Sequence, residues 1–119
     1  MLANINYHIW FKVCKPIKSR YKISTNVTMV LNGAYILQQV NNKPFTRYKL
    51  LKYCTYYNAS KIGSYITVLV EHGFFDKSTD KNNNIVYSLS SLGLSVIKEL
   101  TESYEIELRK FIDLYNIVL

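Results

Sequence analysis

Apolar residues return at every fourth position from the start of the chain. Within "INYHIWFKVCKPIKSRY", Ile5, Ile9, Val13, Ile17 and Tyr21 fall on one helical face. Pro16 has no N–H to donate, so it is predicted to kink or split that helix. "ISTNVTMVLNGAYILQQV" predicts a second helix, with Ser24, Thr25 and Asn26 as candidate caps and Val27, Val30, Leu31, Ala34 and Leu37 as its buried face. It ends near Val40, before the stop signal "NNKP". Thr46 caps a short helix, "RYKLLKYC", with Leu50, Leu51 and Tyr53 inward, and "TYYNAS" turns the chain. A further helix begins near Ser60 and buries Ile62, Tyr65, Ile66 and Leu69. Gly73 suits the left-handed position that ends such a helix, and Phe74 packs back on it.

The period then changes. Residues 74–77 and 85–89 are short β-prone runs around the polar stretch "STDKNNN", which predicts a hairpin over 74–89 with a long exposed tip. Ser90 caps a last helix in which Ile97, Leu100, Tyr104, Leu108, Phe111, Tyr115 and Val118 recur at spacings of three and four. Helix, helix, short helix, helix, hairpin, long helix is the layout of a winged helix-turn-helix. The expected fold is therefore mostly α with a small β-hairpin, as one domain over residues 1–119. It divides into an N-terminal helix (1–23), a winged core (24–90) and a C-terminal helix (91–119). No repeat or Gly/Ser linker suggests a boundary between them.

Composition narrows the picture without changing it. A chain of 119 residues, 49% hydrophobic and 19% charged, is long enough for one modest core. No apolar run approaches the ~20 residues that cross a bilayer, and no signal peptide is read at the start, so no membrane partner and a cytoplasmic location are expected. In that compartment the glycosylation-like "NVT" and "NAS" are chance matches. Cys14 and Cys54 stand far apart and read as reduced buried thiols. His8 and His72 are isolated, so no metal site is expected. With no Gly-rich phosphate loop, carboxylate–histidine cluster or nucleophile motif, neither an enzyme nor a cofactor is expected.

Charge changes the picture more. The net charge of +7 is unevenly spread: residues 1–70 hold ten Lys or Arg and no acid. From Glu71 onward there are five basic and eight acidic residues. A basic first part points to an anionic partner. Five acids, Glu99, Glu102, Glu105, Glu107 and Asp113, fall on the last helix, which ends "FIDLYNIVL". A monomer this small struggles to cover so apolar a terminus. A homodimer is expected, packed through Ile9 of the first helix and Ile97, Leu100, Tyr104, Leu108, Phe111, Tyr115 and Val118 of the last.

Three phrases in order resemble one family. The first is Leu69, three residues, then Gly73, Phe74 and Phe75. The second is a polar wing with Asp80 and Lys81. The third is "YSLSSLG", carrying Ser90 and Gly93. The set is similar to the multiple-antibiotic-resistance regulator (MarR) family of winged-helix repressors, and Asn4 to Tyr21 looks like that family's extra N-terminal helix. Family members commonly place arginine at the wing tip. This chain offers Lys77, Lys81, Asn82, Asn83 and Asn84 instead, and lysine gains less from a narrow minor groove.

The resemblance implies binding of double-stranded DNA by a dimeric transcription regulator, acting as a repressor at the nucleoid. Helix 60–72 would enter the major groove and hairpin 74–89 would serve as wing. Ser60, Lys61, Ser64 and Thr67 would then face base edges or phosphates, with Gly63 among them. Gly63 either lets the backbone approach a surface or packs against the preceding short helix. Lys43, Arg47, Lys49 and Lys52 are placed to hold phosphates. Tyr48, Tyr56 and Tyr57 could donate hydroxyls to them, but the eleven tyrosines read more simply as core and boundary aromatics. The family also implies a small-molecule ligand, in a cleft for which Tyr7, Trp10, Phe11 and Tyr104 are candidates, although core packing is the expected role of all four. Cys14 looks like the position of a redox-sensing thiol, with Lys12, Lys15 and Lys18 near it in sequence. The competing reading is a winged-helix module for protein or replication-complex assembly, without base readout.

Overall fold

The computed structural model describes residues 6–115. Its elements are α1 (Tyr7–Val13), α2 (Lys15–Tyr21), α3 (Thr25–Asn41), α4 (Arg47–Tyr53), α5 (Ala59–Glu71), β1 (Phe75–Thr79), β2 (Ile85–Leu89) and α6 (Ser91–Tyr115). The first predicted helix is split as Pro16 requires: α1 ends at Cys14, and Pro16 sits in the first turn of α2, where a missing N–H costs nothing. Ile9, Val13 and Ile17 face the core as expected, whereas Ile5 lies outside the described residues.

Polar side chains start most of the helices. The oxygens of Asn6, Ser24, Thr46 and Asn58 accept from the backbone N–H of Ile9, Val27, Lys49 and Lys61, satisfying donors the helix cannot. Asn58 therefore caps α5, whose first residue, Ala59, lies one residue ahead of the expected start near Ser60. At the far end of α5, Gly73 has φ +77° and its N–H donates to Val70 O. The Phe74 N–H donates to Leu69 O, which completes a Schellman ending.

The core is one cluster. The expected face of α3, with Leu50, Ile62, Ile66, Leu69, Phe74 and Phe75, packs against Val96, Ile97 and Leu100 of α6. Leu51 and Tyr65 are half-buried. Tyr53 is a correction, being 39% exposed: seven-residue α4 turns only Leu50 fully inward. Trp10 is completely buried, and its indole N–H donates to Thr28 Oγ1 at 3.0 Å.

Strands β1 and β2 pair antiparallel from Phe75↔Leu89 to Thr79↔Ile85. Phe45, ahead of α4, adds a bridge to Tyr87 on the other side of β2. The tip is shorter than expected because Ser78 and Thr79 belong to β1. It is a tight turn in which Asn83 N–H donates to Asp80 O and Asn83 is left-handed at φ +63°. Asp80 Oδ1 accepts from the N–H of both Asn82 and Asn84, and these bonds hold its carboxyl below the ordinary range.

A small knot joins the wing to α6. Ser90 N–H donates to Phe74 O, the Ser90 hydroxyl donates to Gly73 O, and Gly93 N–H donates to Ser90 Oγ. A Cβ at Gly93 would overlap the Phe74 carbonyl oxygen and stand 3.1 Å from its carbon. The glycine of "YSLSSLG" thus has a steric reason. It lets the first turn of α6 lie against the end of α5.

Candidate nucleic-acid interface

Helices α4 and α5 form the helix-turn-helix, with the hairpin beside it. On α5 the apolar stripe turns Ile62, Ile66 and Leu69 into the core, so period alone puts Ser60, Lys61, Ser64 and Thr67 outside. All four are exposed. Lys43, Arg47, Lys49 and Lys52 around α4 are exposed too, as are Lys77, Lys81, Asn82, Asn83 and Asn84 on the hairpin.

The charge pattern is sharper than the sequence suggests. Three ion pairs occur among the described residues: Lys12–Glu107 at 2.9 Å, Arg20–Glu99 at 3.1 Å and Lys110–Glu107 at 3.5 Å. Acids of α6 therefore meet cations of the N-terminal helices and its own Lys110. The cations of α4, α5 and the wing form none of these pairs. Lys43, Arg47, Lys49, Lys52, Lys61, Lys77 and Lys81 on the helix-turn-helix side thus stand outside these three pairs.

Several side chains are more constrained than expected. The Thr67 hydroxyl donates to Gly63 O at 3.0 Å, which leaves it as an acceptor toward any ligand. Gly63 does not present open backbone. The Arg47 guanidinium lies over it, and a Cβ there would stand 2.7–3.0 Å from three guanidinium atoms. Of the two readings of Gly63, packing against α4 is the one found. The Tyr57 hydroxyl donates to Asn26 Oδ1 at 3.0 Å, so it is not free for a phosphate. Burial, with neighbouring Tyr65, pushes its pKa up to about 12. Tyr48 and Tyr56 remain open at 64% and 73% exposure, and Lys52 Nζ rests 5.3 Å from the Tyr48 ring. Asn58, which caps α5, and Ala59, whose carbonyl Arg47 reaches, are not among the expected site residues.

Three expectations are corrected. Ile9, Ile97, Leu100 and Tyr104 are buried in this chain's own core, Tyr104 accepting from Asn6 N–H at 2.8 Å, so they cannot also face a second copy. Leu108 and Phe111 pack at the edge of that core, while the Tyr115 side chain and Val118 lie outside the described residues. The four candidate cleft residues do not come together: Trp10 and Tyr104 pack in the core as expected, their ring centroids 5.8 Å apart, while Tyr7 and Phe11 are on the outside. Cys14 is fully buried, 3.1 Å from Thr28 Oγ1. The Thr28 hydroxyl already donates to Thr25 O, so Cys14 must donate as a thiol, and burial pushes its pKa up. An inaccessible protonated thiol is a poor redox sensor. Among the described residues no His, Cys, Asp and Glu cluster could hold a metal, and no helix is long and apolar enough to cross a membrane.

A helix-turn-helix with a two-stranded wing, flanked by α1 and α2 on one side and long α6 on the other, defines a winged helix-turn-helix protein. In sequence, no family model and no curated protein matches the chain. In structure it is similar to MepR, a transcription regulator of the Staphylococcus aureus multidrug efflux pump MepA. That likeness has a TM-score of 0.73 at 13% identity, over 92% of this chain and 77% of that one. Rv1404 from Mycobacterium tuberculosis gives 0.71 at 16% identity, over 90% and 69%. The transcriptional regulator Tm0710 from Thermotoga maritima gives 0.61 at 16%, over 94% and 75%. These neighbours are winged-helix regulators of the MarR family, and the fold implied by the resemblance is the fold found.

Proposed function

We propose that this chain is a sequence-specific regulator of transcription that binds double-stranded DNA as a homodimer and represses by occlusion. One observation carries the reading: the exposed flank Ser60, Lys61, Ser64 and Thr67 lies among exposed cations outside the three ion pairs, which join Glu99 and Glu107 of α6 to Lys12, Arg20 and Lys110. Residues of α5 read base edges in the major groove. Lys43, Lys49 and Lys52 hold phosphates on one side of it, and Lys77, Lys81, Asn82 and Asn83 contact backbone on the other. A second copy would dock on the stem, where Leu114 is 76% exposed and lines, with Phe111 and His8, a groove of about 450 Å³ between α1 and α6. Such a dimer places two reading helices about one DNA turn apart, ~34 Å, and calls for a pseudo-palindromic site.

Selection from a random duplex pool, followed by binding over a salt series, tests this. Enrichment of a palindromic sequence is expected, with log K falling against log salt by ~0.9 per phosphate neutralised. Binding that ignores salt, or a pool that enriches nothing, would refute base readout and return the assembly-module reading.

A further inference from the structure

Among the described residues, Arg47 is a cation of this surface whose head group is held by a hydrogen bond to the backbone. Its Nη2–H donates to the carbonyl of Ala59, the first residue of α5, at 2.9 Å. In a helix the side chain four residues on leans back over that carbonyl. Here that residue is Gly63, and the bare backbone is what leaves the carbonyl reachable from α4. The guanidinium occupies the space a Cβ would fill, yet the residue remains exposed. A planar group fixed at one edge keeps its other N–H donors directed and loses little freedom when it binds an anion.

We propose that Gly63 is a seat for Arg47, and that the seated guanidinium clamps a DNA backbone phosphate and so fixes the angle at which α5 meets the duplex. The proposal rests on the DNA-binding reading above and assigns Gly63 a positioning role with no contact of its own. It also explains a glycine that interrupts a good helix former. Alanine at 63 would favour the helix, but it would unseat the arginine.

The test uses the full chain and four proteins: the parent, Gly63→Ala, Arg47→Ala and the double variant, with a fluorescein-labelled duplex recovered from the random pool. Urea unfolding comes first. Gly63→Ala should be at least as stable as the parent, because only the far end of a flexible side chain must move. Its Kd should nonetheless rise roughly fivefold or more, the loss expected for one charge-assisted contact. Arg47→Ala should show a similar loss and a salt slope shallower by ~0.9. Adding Gly63→Ala to Arg47→Ala should change nothing further. Arg47→Lys, which keeps the charge without the planar fork, should retain the parent's salt slope and still bind more weakly. Parent-like binding by Gly63→Ala, or an equal loss in the Arg47→Ala background, overturns the seat while leaving DNA binding standing. A parent that binds no duplex overturns both.

Discussion

Replacing Gly93 with alanine should destabilise the protein, against the usual trend. Alanine ordinarily gains up to ~1 kcal/mol over glycine within a helix. At this position the new methyl group would overlap the Phe74 carbonyl oxygen, which belongs to fixed backbone rather than to a side chain that can swing away. Forcing that overlap apart costs about 1–3 kcal/mol by the standard of overpacked sites. The same carbonyl accepts the Ser90 N–H at 2.9 Å, and stretching that bond costs about 1 kcal/mol more. The balance is a net loss of about 1–3 kcal/mol, or a fall in Tm on the order of 5–10 °C. Urea unfolding followed by far-ultraviolet circular dichroism should show a lower midpoint with an unchanged slope. Because the knot ties the end of α5 to the start of α6, the variant should also weaken duplex binding at temperatures where it is still folded. A Gly93→Ala protein as stable as the parent would show that α6 does not lie against Phe74 as described.

Thr28→Val removes the oxygen that takes both the Trp10 indole N–H and the Cys14 thiol. Orphaning a fully buried indole donor should cost about 1–3 kcal/mol, and equal stability in urea would disprove the arrangement. Both cysteines should resist a thiol reagent at pH 8 in the native protein and react as urea unfolds it. Burial raises both thiols, that of Cys54 to about 11, so rapid native labelling of either would contradict the packing. At the wing tip, the Asp80 carboxyl is held below its usual value of 3.8 by the N–H groups of Asn84 and Asn82. A depressed folded pKa means the tie is intact above that range and lost as pH falls through it. The amide resonances of Asn82 and Asn84 should therefore titrate together with a midpoint below 3.8 in the parent and not at all in Asp80→Asn. A midpoint at or above 3.8 would mean that the tip is open.

What could be read from the residues was whatever is set locally. Ser24, Thr46, Ser90 and Gly73 announce helix ends because caps and left-handed residues act within four positions of themselves, and the stripes of α3 and α5 follow directly from period. Pro16 divides the first helix for the same local reason. Contacts between distant segments were not legible. Nothing in "RYKLLKYC" tells that Arg47 will reach the Ala59 carbonyl across Gly63, or that Phe45 will bridge to Tyr87. The apolar stripe of α6 was visible, but periodicity does not say whose core it serves. Ile97, Leu100 and Tyr104 were assigned to a partner copy although α1 and α3 already cover them. Cys14 illustrates the same limit. Three lysines lie near it along the chain, yet the side of the helix it occupies points inward, so burial governs the thiol.

The bridge at Phe45 also settles which border of the small sheet is left bare. Phe45 and Tyr87 exchange backbone bonds of 2.9 and 2.8 Å, shielding the middle of β2 on that side. The opposite border belongs to β1, whose Asp76, Lys77, Ser78 and Thr79 are all exposed. A strand only five residues long, carrying opposite charges side by side and then two hydroxyls, is a poor template for a foreign strand to zip onto. The hairpin can therefore protrude at high protein concentration without seeding fibres or runaway sheet growth.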